Sequence, residues 1–65
     1  MRKDPREKII EVLTLYGELN ITRIAREAGL NFRVASKYLK ELVQQGIVEE
    51  RRYGRLRLFK LRKKH

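Results

Sequence analysis

Wound at about 100° per residue, the stretch from residue 32 to residue 45 brings Arg33, Ser36, Lys37, Lys40 and Gln44 onto one face. All five donate hydrogen bonds and three are cationic, so a helix face of this kind suits phosphate oxygens and the acceptor edges of bases. A second basic set lies downstream. Residues 51–65 carry eight cations (Arg51, Arg52, Arg55, Arg57, Lys60, Arg62, Lys63, Lys64) and no acid, whereas residues 1–50 carry nine basic and eight acidic side chains. The net charge of +9 is therefore concentrated in the last quarter of the chain. Tyr53, Leu56, Leu58, Phe59 and Leu61 are interleaved with the charges of Arg51 to Lys60, which should hold those charges on an ordered ribbon. The closing Arg62-Lys63-Lys64-His65 reads equally well as a solubilising tail. An ordered basic ribbon calls for a polyanionic partner.

Other chemistry finds little to work with. The sole histidine is the terminal His65, the sole serine is Ser36, and no glycine-rich loop ends in Gly-Lys-Ser/Thr. Glu49 and Glu50 are neighbours on an extended segment and point apart, so they do not converge as a catalytic pair. Without cysteine, and with one terminal histidine, the chain cannot assemble a metal shell of the usual ligands. The expectation is a protein that is not an enzyme and uses no cofactor or metal. A chain of 65 residues buries only about 60% of its unfolded surface. That leaves one domain over residues 1–65, with an ordered core over about 5–61, a basic tail at 62–65 and no separate small-molecule domain. No apolar run reaches the roughly 18 residues of a membrane span, and Met1-Arg2-Lys3-Asp4-Pro5 lacks the apolar stretch of a signal peptide. The expected location is cytoplasmic, on the nucleoid, with no membrane partner.

The elements that would position these residues are separated by glycines 17, 29, 46 and 54. Asp4 is suited to capping, Pro5 to the first helical position and Glu7 to a capping box. Ile9, Val12, Leu13 and Tyr16 recur at helical spacing, predicting a helix over roughly 5–16. After an extended Glu18-Leu19, Asn20 can cap a second helix with Ile21, Ile24, Ala25 and Ala28 on one face, ended by Gly29. Asn31 can cap a third helix over roughly 32–45, with Ala35, Tyr38, Leu39, Leu42 and Val43 inward. Phe32 and Val34 are expected to pack. From Ile47 the helical period gives way to alternation, which predicts a β-hairpin turning at Tyr53-Gly54. The apolar pair Leu58-Phe59 breaks the alternation and implies a bulge or burial on both faces, with the register open.

Three helices, a tight glycine turn between the second and third, and a basic hairpin make up an α+β, mostly helical layout. It resembles that of the winged helix-turn-helix. The resemblance rests on Ile24-Ala25-Arg26-Glu27-Ala28-Gly29-Leu30-Asn31, on the hydrophobic series Leu30, Ala35, Tyr38, Leu39 and Leu42, and on Gly46-Ile47-Val48 leading into the wing; it covers about residues 7–61. More narrowly, Leu30-Asn31-Phe32 and Lys37-Tyr38-Leu39-Lys40-Glu41-Leu42 resemble short archaeal winged-helix transcription regulators and chromatin proteins. Two departures stand out. Position 35 is Ala where Val or Ile is usual, and longer members of the archaeal set continue past the wing into a helix that pairs subunits, whereas this sequence stops at His65. Dimerisation through such a helix is therefore not expected.

The resemblance implies that the third helix enters the major groove, with Asn31, Arg33, Ser36, Lys37 and Lys40 facing double-stranded DNA. Four of these five also cluster by angle alone. Arg33, near the helix start, fits bidentate contact to guanine. Arg51, Arg52, Arg55 and Arg57 would lie in the wing on phosphates or in the minor groove, with Glu50 able to sit across from Arg57 and neutralise part of it. Arg2, Lys3, Asn20, Thr22, Arg23 and Arg26 are candidates for flanking phosphates. The expected function is sequence-specific DNA binding as a small transcriptional regulator. Open beside it are an architectural chromatin protein with little sequence preference, an RNA- or ribosome-associated winged helix, and a protein-interaction winged helix without nucleic-acid binding. A homodimer is expected, with Ile10, Leu15, Phe59 and Leu61 as its available apolar contacts.

Overall fold

The computed structural model of the chain describes residues 4–62. Helix α1 runs Pro5–Tyr16, α2 Ile21–Ala28 and α3 Phe32–Gln44, followed by strands β1 Val48–Tyr53 and β2 Leu56–Leu61. Each helix starts at a polar cap. The Asp4 carboxylate accepts from the Arg6 amide, Asn20 Oδ1 from the Arg23 amide and Asn31 Oδ1 from the Val34 amide, each at 2.8 Å. Such caps satisfy amides that have no partner inside the helix.

The stop signals are equally local. At the end of α2 the Leu30 amide bonds the Ala25 carbonyl and the Gly29 amide the Arg26 carbonyl, the paired reversal of a Schellman motif. Gly29 sits at φ 69°, where a β-carbon would be strained, so the tight turn between α2 and α3 depends on this glycine. The same bonding pattern, Ile47 to Leu42 and Gly46 to Val43, ends α3 and releases the chain into the hairpin.

The core gathers Ile9 and Leu13 of α1, Ile24 of α2, Leu39 and Leu42 of α3, and Val48 and Phe59 of the hairpin. The hairpin is thus part of the domain's packing and not an appended arm. Leu19 also pairs with Phe59, its amide donating to the Phe59 carbonyl at 3.1 Å and its carbonyl accepting from the Phe59 amide at 2.8 Å. This short third edge fixes β2 against the link between α1 and α2.

Several expectations are corrected. The hairpin turns at Gly54-Arg55, one residue later than expected, because Tyr53 pairs with Leu56. Gly54 has φ 63° and Arg55 is not at positive φ, the sign pattern of a type II′ turn, whose twist matches that of the flanking strands. No bulge interrupts the ladder at Leu58-Phe59: the register runs without a break from Val48↔Leu61 to Tyr53↔Leu56. Phe59 enters the core while Leu58 is half-buried on the reverse face near Leu19 and Arg23, so both faces of this part of β2 are covered. Tyr16 is exposed, its hydroxyl donating to Glu27. Phe32 is 58% exposed, since its angular position matches the core but the first turn of α3 leaves it in solvent; Val34 is half-buried. Of the apolar contacts expected for a dimer, Phe59 is a core residue, Ile10 and Leu61 pack against that core, and Leu15 alone is exposed.

Candidate nucleic-acid interface

Ala35, Leu39 and Leu42 hold α3 against the core and turn its opposite face outward. Arg33, Ser36, Lys37, Lys40 and Gln44 are all exposed there, as their angular spacing requires. Tyr38 borders this face. The Lys37 ammonium lies 5.4 Å and the Arg6 guanidinium 5.3 Å from its ring, and Arg6 also reaches Glu41 at 2.9 Å, tying α1 to α3. Asn31 is exposed at the helix start with its side-chain oxygen committed to the cap. Among the described residues Arg33 and Lys40 make no ion pair.

In an antiparallel ladder, directly paired residues project to the same side. The register therefore sends Val48, Glu50, Arg52, Arg57, Phe59 and Leu61 one way and Glu49, Arg51, Tyr53, Leu56, Leu58 and Lys60 the other. Because Val48 and Phe59 are core residues, the first set faces the helices. Its outer members, with α3, border a groove of about 540 Å³ that holds Ser36, Lys40 and Gln44 on one wall and Glu50, Arg52 and Arg57 on the other.

The groove is not purely basic. Glu50 Oε2 accepts from Arg57 Nε at 2.6 Å and from Arg52 Nε at 3.4 Å. Arg52 and Arg57 are directly paired across the ladder, a like-charge placement that is unfavourable by itself, and the carboxylate offsets it. The Arg57 bond, helped by Arg52, holds the Glu50 carboxyl below its ordinary range despite partial burial. On the reverse face Arg51 Nη1 is 3.5 Å from the Tyr53 hydroxyl. That contact, together with the charge of Glu49, raises the pKa of Arg51.

Of the residues singled out from sequence, the groove brings together Ser36, Lys40, Arg52 and Arg57. Arg33 and Lys37 lie farther round α3, Arg55 is in the turn at the hairpin tip, and Arg51 is on the reverse face. Asn20, Thr22, Arg23 and Arg26 line a separate hollow of about 280 Å³ beside α2. There Arg23 is bonded to Glu27 at 2.9 Å and stands over the Tyr16 ring. Arg2, Lys3 and the tail beyond Arg62 lie outside the described residues. The expected neutralisation of Arg57 by Glu50 is present, but not from directly across: Arg57 pairs with Arg52 and Glu50 with Phe59, so the contact is diagonal. The contact to Arg52 is one the sequence analysis lacks; its signal is the i, i+2 spacing, which places both on one strand face.

The pattern of winged helix-turn-helix proteins matches residues 2–60. The chain belongs to the winged helix-turn-helix family. The match is to the family as a whole and does not extend to the narrower archaeal resemblance. No curated protein gives a significant sequence match.

Solved winged-helix structures agree with the fold. A MarR family transcriptional regulator from Silicibacter pomeroyi superposes with TM-score 0.83 at 22% identity, over 91% of this chain and 42% of that one. The homodimeric winged helix-turn-helix DNA-binding domain Mb0332 from Mycobacterium bovis, a possible ArsR-family regulator, gives 0.78 at 33% identity, over 88% of this chain and 52% of that one. The Zalpha domain of Carassius auratus PKZ, solved with Z-DNA, gives 0.80 at 24% identity over 89% and 92%. This chain thus spans about half the length of the bacterial regulators that it resembles.

Proposed function

We propose that this winged helix is a non-enzymatic, sequence-specific double-stranded DNA-binding protein acting in transcriptional regulation. The observation that carries the reading is the convergence of Ser36 and Lys40 on α3 with Arg52 and Arg57 on the wing at a single groove. A helix face rich in donors and a basic strand face at its side suit a duplex: the helix reads base edges while the ribbon neutralises phosphates. Arg33, exposed in the first turn of α3, is placed to reach guanine O6 and N7. Ser36, Lys37 and Lys40 contribute base-edge or phosphate contacts, and Arg52, Arg55 and Arg57 meet the backbone or minor groove. Asn31 orients the end of the reading helix, while Arg51, on the reverse face of the wing, stands away from the groove. The kinship with the Mb0332 domain, described as DNA-binding and homodimeric, supports both the partner and an association of two copies on one site. With Phe59 in the core, that association uses a surface other than the C-terminal apolar residues.

Selection of bound fragments from random duplex DNA tests the proposal. A defined motif is the expected result. Featureless enrichment would favour an architectural protein, and retention of RNA without duplex DNA would favour an RNA-binding winged helix.

A further inference from the structure

The carboxylate in the groove is out of place on a surface that meets phosphates. A wing selected only for positive potential would carry a neutral residue at position 50, because an acid so close to the backbone path repels it. Three features of Glu50 point to a different role. It is the acceptor for both arginines of the directly paired Arg52↔Arg57 rung. Both contacts are made through Nε, at 2.6 Å for Arg57 and 3.4 Å for Arg52, so neither uses the terminal Nη groups of the guanidinium. And Glu50 is itself held, with only 23% of its side chain exposed, while the arginine side chains remain 51% and 70% exposed. Its rung partner is the core residue Phe59, over whose ring the Arg57 guanidinium lies at 5.8 Å.

We infer that Glu50 is a positioning residue, a brace that grips Arg57 and Arg52 at Nε and presents their Nη groups to DNA phosphates along the groove between α3 and the wing. The inference deepens the proposed DNA-binding function and rests on it. A free arginine has many rotamers and loses them on reaching a phosphate. A bond at Nε removes much of that freedom inside the fold, before DNA arrives. The planar guanidinium has donors on both edges, so the Nε edge can satisfy a carboxylate while the Nη atoms meet a phosphate. The negative charge is tolerated because two cations share it and leave the trio at net +1. Lys40 and Ser36 on the facing wall provide further donors for the same backbone segment.

Bracing and simple repulsion predict opposite signs. Glu50→Ala removes the carboxylate and the brace together, whereas Glu50→Gln removes the charge but keeps an oxygen that accepts from Arg57 Nε. Binding of the full chain to its selected duplex is measured by fluorescence anisotropy from about 50 to 300 mM salt, with circular dichroism melts to confirm folding. The brace predicts that Glu50→Ala binds about five- to tenfold more weakly and with a salt slope shallower by about 1–2, since each lost phosphate contact removes about 0.9. It also predicts that Glu50→Gln stays within about twofold of the parent. Tighter binding by both variants, or no change in Glu50→Ala, overturns the inference. A second measurement needs no DNA: in proton–nitrogen spectra of the free protein the Arg57 Nε proton should exchange slowly in the parent and in Glu50→Gln, and rapidly in Glu50→Ala. Equal exchange rates in all three overturn the brace. If the parent binds no duplex, the functional proposal fails and the exchange measurement still decides the brace.

Discussion

Replacing Lys40 and Arg52 together with glutamine removes one cation from each wall of the groove. Both are exposed and neither supports the core. The contact between Arg52 and Glu50 is a long one at 3.4 Å with the arginine side chain 70% exposed, and surface pairs of this kind contribute about 0–1 kcal/mol. The melting temperature should therefore fall by no more than about 4–8 °C, the shift that 1 kcal/mol produces in a domain of this size. DNA binding should respond far more. If one strand's phosphates run along the groove, the double variant loses two contacts and the slope of log K against log salt becomes shallower by about 1.8. Between about 50 and 200 mM salt, a fourfold change, the parent should then lose about twelvefold more affinity than the variant. The assay is fluorescence anisotropy with the selected duplex and with random duplex, and both should weaken. The matched control is Arg51→Gln with Lys60→Gln, which removes the same charge from the reverse face of the hairpin. Its slope should change by less than about 0.5. If both doubles flatten the slope equally, the protein responds to total charge and the argument from strand register is refuted.

Arg33→Ala should cost about 1–3 kcal/mol on the selected site and much less on random DNA in competition binding; equal losses on both would remove Arg33 from base reading. Phe59→Ala should destabilise the domain by about 3–5 kcal/mol, against a total of roughly 3–10 kcal/mol for a chain of this size, so its thermal transition should broaden or vanish in calorimetry. Phe59→Leu, which keeps most of the volume, should cost less than about 1.5 kcal/mol. Arg6, Arg23 and Arg57 respectively hold Asp4, Glu27 and Glu50 below their ordinary carboxyl range. Because the folded values are depressed, the stability these groups add is complete above the unfolded values, near pH 4 to 4.5. That stability is lost as the pH falls through the folded values, so urea midpoints should be flat from about pH 7 to 5 and drop below about 4. A midpoint that rises on acidification would contradict the assigned pairs.

The three helices, their order and most of their limits were legible in the sequence because the signals are local. Caps at Asp4, Asn20 and Asn31 and stops at Gly17, Gly29 and Gly46 act through atoms only a few residues away. The outward face of α3 was legible for the same reason, since helical geometry fixes angle whatever the helix packs against. Angle, however, does not say how far along its axis a helix is covered, and so spacing predicts a packed Phe32 and a core-facing Tyr16 where the structure leaves both exposed. Composition and alternation predict a basic hairpin, yet shifting its pairing by one residue would exchange the two faces. Only the tertiary structure sets that register, through the Gly54-Arg55 turn, the burial of Val48 and Phe59, and the pairing of Leu19 with Phe59, a residue forty positions away. The register decides that Arg52 and Arg57 share the groove with Lys40 while Arg51 does not, and that Glu50 stands between two arginines. Charge content is a property of the chain, whereas the direction in which a strand's charges point is set by long-range packing.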